Sequence, residues 1–114
     1  IWAYETDTEV LSILYDAATS STPILTGVDN LTVSPAGDVL VAEDDGDMQI
    51  VAIVPDGSLV PIVQVTGQDA SEITGPAFDP SLQRLYFSSQ RGPDGLDLLG
   101  RSGITYEVSG PFFI

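Results

Sequence analysis

An all-β fold is predicted by three observations on this 114-residue chain. Apolar side chains alternate with polar ones or gather in short β-branched runs, turn residues separate those runs, and part of the pattern recurs further along. A period of two places one face of a strand in a core, and Asp-Gly, Ala-Gly and Pro signals punctuate strands.

The strands are justified in order. Ile-Trp-Ala-Tyr-Glu over 1–5 and Glu-Val-Leu-Ser-Ile-Leu-Tyr over 9–15 open the chain, and Ser20-Ser21-Thr22 falls in a loop. The next pair, 28–34 and 38–43, is joined by Pro35 and the Ala36-Gly37 turn, and 48–54 and 58–65 are joined by Asp56-Gly57. A third group follows at 74–79, opened sharply by Gly75-Pro76, then 84–89 and 103–108. Between the last two, the leucines of 93–100 are interrupted by Pro93, Gly95 and Gly100, which favours a loop over a helix. Trp2, Tyr4, Tyr86, Phe87 and Tyr106 are assigned to packing between sheets.

The repeat sets the architecture. Val33-Ser34-Pro35 followed by Asp38–Ala42 matches Phe78-Asp79-Pro80 followed by Arg84–Phe87, and 80 minus 35 gives an offset of 45. Residues 49–53 likewise parallel 1–4 and 103–107. Four short strands per unit with a period in the forties is the signature of a β-propeller blade. In that phase 28–65 is a complete blade, 1–15 is strands three and four of the blade before it, and 74–108 is strands one to three of the last blade. The chain therefore reads as about two and a quarter blades, a partial propeller domain over 1–114. Closing a ring takes roughly four to eight blades, so the expected partners are the remainder of the propeller or copies of this chain. An antiparallel β-sandwich of the same strands is the alternative.

Composition narrows the chemistry. Seventeen acidic and three basic residues give a net charge of -14, while 43% hydrophobic content argues for a packed core. With no Lys, and only Arg84, Arg91 and Arg101, the chain lacks the cations that a run of phosphates or an anionic membrane demands. No apolar run reaches the roughly 18 residues of a membrane span, so neither nucleic-acid binding nor membrane insertion is expected. There is no Cys and no His, which leaves carboxylates, hydroxyls, amides and guanidiniums. An acidic, Lys-free surface suits an extracellular or salty medium.

Propeller loops gather around a central channel, where converging carboxylates can bind hard cations such as calcium. The candidate ligands are Asp29 and Asn30 at the start of an inner strand, Glu43 and Asp44 after a second strand, and Glu72 before the last blade. Asp45 and Asp47 read as a solvated turn, and Glu43–Asp47 lacks the spacing and flanking helices of an EF-hand. Asp29-Asn30 also fits a simple turn cap. Arg91 projects from the same rim as Glu43, where it either neutralises acids or holds an anionic substrate group.

The segments Gly27–Asp38, Val41–Asp44, Glu72–Phe78, Leu85–Gly92 and Gly103–Phe112, in that order, resemble the C-terminal part of the secreted PhoX-type alkaline phosphatases. The resemblance implies a six-bladed propeller exported across the bacterial membrane, with an iron and calcium cluster that cleaves phosphate monoesters. It places Glu43 and Glu72 near the metals, matches Asp29-Asn30 to the family's strand opening, and puts Arg91 where the family often has another polar residue. The family's iron site uses a Cys, which this chain lacks. The alternatives are a non-catalytic calcium-binding or adhesion module and a lactonase-like hydrolase with a single calcium.

Overall fold

The computed structural model describes residues 1–44, 46–94 and 103–112. Nine strands form three antiparallel sheets of two, four and three strands. The first sheet pairs β1 (Trp2–Glu5) with β2 (Val10–Ile13). The second runs β3 (Val28–Val33), β4 (Val39–Glu43), β5 (Gln49–Ile53) and β6 (Leu59–Gln64), each bonded to the next in sequence. The third joins β7 (Ile73–Phe78), β8 (Arg84–Ser89) and β9 (Ile104–Ser109). The only helical element among the described residues is a single 3-10 turn at Gly92–Asp94, overlapping the start of the 93–100 stretch expected as a loop; the remainder of that stretch, 95–100, lies outside the described residues, as do Asp45 and Arg101.

Turn chemistry explains how neighbouring strands meet. Between β3 and β4, the Gly37 N–H donates to Ser34 O at 3.0 Å, and Gly37 takes the left-handed φ of 91° that a side chain would resist. The Ser34 hydroxyl accepts the Ala36 and Asp38 amides and donates to Asp38 Oδ2. At the repeat-related position in the third sheet, Asp79 does the same work with a carboxylate, accepting from Ser81 Oγ at 2.6 Å and from the Gln83 and Arg84 amides. Gly75-Pro76 does not mark the entry to the strand, as the sequence suggested. It lies inside β7, where the register against β8 shifts between Thr74 and Ala77. A matching shift between Val28 and Leu31 in β3 shows that a bulge belongs to the repeat.

The second sheet is the centre of the molecule, and its inner strands β4 and β5 are covered on both faces. Leu40, Ala42, Ile50 and Ala52 pack with Ile73, Leu85 and Phe87 of the third sheet. On the opposite face Val41, Val51 and Ile53 pack with Tyr15 and Leu25 from the connection between the first two sheets. The buried Tyr15 hydroxyl donates to Leu25 O at 2.7 Å, satisfying the polar atom that its ring carries into that core. Strands buried on both faces read as continuous apolar runs, and Val39–Ala42 and Ile50–Ile53 do so.

The aromatic assignments divide. Phe87 is buried and stacks on Tyr106 with centroids 5.4 Å apart, while Phe78 meets Phe112 edge-on at the same separation. Trp2 and Tyr4, expected between sheets, are 65% and 58% exposed; among the described strands only β2 packs extensively against β1. Tyr86 turns to the polar side of β8 and hydrogen-bonds Glu107.

Candidate functional site

The starts of β3 and β7 and the ends of β4 and β8 lie at one end of the two larger sheets. Val28 is paired with Glu43, and Ile73 with Ser89. The two sheets are joined there directly, since Asp44 and Glu72 form an antiparallel bridge. The Asp44 N–H donates to Gly27 O and the Gln90 N–H to Glu72 O, both at 2.8 Å. All six sequence-selected residues therefore fall on a single rim.

Glu43 is the most enclosed of them, with 2% of its surface exposed. Its Oε1 accepts the Thr26 N–H at 2.9 Å, while Oε2 is buried with no hydrogen-bond partner. A carboxylate oxygen taken from water without a partner costs free energy that a hydrogen bond or a cation would return. At the corresponding place in the third sheet, Ser89 is bonded to Ser71 at 2.7 Å, Oγ to Oγ, and Ser71 Oγ also accepts the Arg91 N–H at 2.9 Å. That position is fully satisfied with neutral groups.

Asp44, Glu72, Asp29 and Arg91 form the outer part of the rim. Arg91 Nη2 lies 3.4 Å from Glu72 Oε2, and Nη1 lies 3.8 Å from Asp44 Oδ1 and donates to Ala70 O at 3.3 Å. The guanidinium is thus held chiefly by acids of its own rim, with 27% of its side chain exposed. Glu72 has its carboxyl pushed above the usual glutamate range by burial, by a hydrogen bond with Asp29, and by the charges of Asp44 and Asp29, with Arg91 opposing. Asn30 does not cap its own turn. Its Oδ1 accepts the Gly75 N–H at 2.9 Å, tying β3 to β7.

The arrangement brings Asp29, Asp44, Glu72 and Arg91 together and leaves Asn30 as a strut between sheets. Among the described residues no three acidic side chains converge closely enough to enclose a metal ion. Asp47, read as a solvated turn, is exposed and accepts from Gln49 Nε2. Thr26, Ser71 and Ser89 escaped the sequence reading; the offset of 45 between Thr26 and Ser71 was the signal that could have paired them. Compared with protein-family models, with curated proteins and with solved structures, the chain matches none of them.

Proposed function

We propose that this chain is the C-terminal portion of an exported, metal-dependent phosphate-monoester hydrolase of the PhoX type, with its three sheets as consecutive propeller blades. The observation that carries the reading is Glu43, a buried carboxylate with one unpartnered oxygen at the rim where Asp29, Asp44 and Glu72 gather. The order of the resembling segments supports it as well.

The donor set fits calcium, which takes carboxylate oxygens. With no three acids converging here, Glu43 and a rim carboxylate would hold one side of the ion and other blades the rest. The chain's own donors do not fit iron, because it contributes neither thiolate nor imidazole. Bound calcium would offset the repulsion between these acids and a phosphate ester. Arg91, released from Asp44, would orient a phosphoryl oxygen through its exposed edge, while Asn30 keeps the two blades in register.

The test is native mass spectrometry with calcium and iron analysis on one sample, followed by p-nitrophenyl phosphate turnover. An assembled ring that retains calcium and turns the ester over, with at least about tenfold loss in Glu43→Gln, supports the proposal. A complex that retains calcium without turnover favours a non-catalytic calcium-binding module. A ring assembled with the remaining blades that holds no calcium and leaves the ester intact overturns it.

A further inference from the structure

Among the described residues twelve large apolar side chains are markedly exposed, and eight of them belong to β1, β2 and β3. Trp2 faces Ile13, and Tyr4 faces Leu11, on one side of the β1–β2 ribbon. Val28, Leu31 and Val33 line the neighbouring strand β3. Between ribbon and strand lies an open cleft of about 370 Å³ bounded by Trp2, Ile13, Tyr15, Thr26 and Val28. The chain exposes 6908 Å², where a compact folded monomer of this mass exposes about 6,000 Å².

The molecule itself shows what covers such a surface. Moving 45 residues on, Val28, Leu31 and Val33 correspond to Ile73, Pro76 and Phe78. Ile73 and Pro76 are buried and Phe78 is partly buried. The cover includes Leu40 and Ala42 of β4, the strand second from the edge of the neighbouring sheet. Among the described residues the first sheet has no counterpart of β3 and β4. Its β1, which corresponds to β5, pairs only with β2 among the described strands, so its other edge carries unpaired backbone groups.

We infer that the cleft receives an antiparallel strand pair that hydrogen-bonds to the open edge of β1 and lays an aliphatic face on Val28, Leu31 and Val33. This rests on the blade reading of the sheets and on no part of the metal or phosphatase chemistry. The occupant is an aliphatic ribbon and not the far end of a second copy. The outward face of the third sheet presents Arg84, Tyr86, Ser88, Thr105 and Glu107, with Arg84 paired to Glu107 at 3.7 Å. Pressing that polar face onto Leu31 and Val33 would strip water from an ion pair and return only apolar contact. Main-chain bonds to an exposed edge with alternate side chains in apolar pockets are a recurring recognition mode.

The probe is a synthetic peptide of residues 27–42, the chain's own β3–β4 ribbon, added to the full 114-residue chain at physiological salt. Trp2 is the only tryptophan and reports the cleft directly. The expected result is a saturable shift of its emission to shorter wavelength and slowed hydrogen exchange at the amides of Trp2–Glu5. Leu31→Asp, at a site 49% exposed and so outside the folded core, abolishes both. Ile62→Asp on the exposed part of β6 leaves them in place. Two results overturn the inference: an emission shift that follows chain concentration alone with a dimer mass, which assigns the face to a second copy, or no shift and no protection with peptide in excess. Neither readout involves metal or ester turnover, so failure of the phosphatase proposal is distinguishable from failure of this one.

Discussion

Glu72 sits between unequal neighbours, with Asp29 and Asp44 repelling its charge and Arg91 attracting it. Burial and the two acids outweigh the guanidinium, so the folded chain holds a proton on Glu72 at a pH where the unfolded chain has released it. Stability from this group is therefore full below the ordinary glutamate range and declines as pH rises through the raised value. Glu72→Gln is expected to raise Tm at neutral pH, with the gain vanishing in acid, as thermal unfolding by circular dichroism at the two pH values will show. A lower Tm at neutral pH would mean that the contact with Arg91 dominates. At this scale the sequence was informative about residue type and rim, and uninformative about partners. Asp29, Asn30, Glu43, Asp44, Glu72 and Arg91 were selected from their places at strand ends. That Asn30 bonds Gly75, or that Glu43 keeps one oxygen unpaired, depends on atoms many residues distant.

Strand identity was legible because it is local. β8 occupies 84–89 as read, and the other strands begin or end within two residues of their expected limits. Gly75-Pro76 misled because a Gly-Pro pair signals a bend without saying whether it starts a strand or interrupts one. The strands are also bound at the rim by a backbone contact with no slack. A methyl group at Gly27 would collide with the Asp44 carbonyl oxygen, whose own amide is bonded to Gly27 O. Gly27→Ala is expected to cost about 1–3 kcal/mol, the range for forcing an atom into a filled space. Urea unfolding should show a lower midpoint with an unchanged m-value, whereas Gly46→Ala, which meets no neighbour, should report only the strain of a left-handed turn residue.

Across the whole molecule, charge and shape act together. A net charge of -14 on 114 residues makes the folded state repel itself, and screening relieves this as the Debye length falls from about 30 Å at 0.01 M to about 8 Å at 0.15 M salt. Tm is expected to rise with sodium chloride over that range, and a flat or falling curve would show that attractive pairs such as Arg84–Glu107 outweigh the repulsion. The radius of gyration is 14.9 Å, against about 13 Å for a compact domain of this length. The chain is spread over three sheets in a row, with one core between the second and third and another under the 15–25 connection. The sequence by itself determined the all-β class, the grouping of two, four and three strands and the offset of the repeat, because side-chain alternation and turn chemistry act over a few residues. Only the tertiary structure decided that Trp2 and Tyr4 lie open, that Arg91 is held by Asp44 and Glu72, and that Glu43 is buried. Those outcomes depend on which strand ends meet across about forty-five residues of chain, and on which faces find a sheet to cover them.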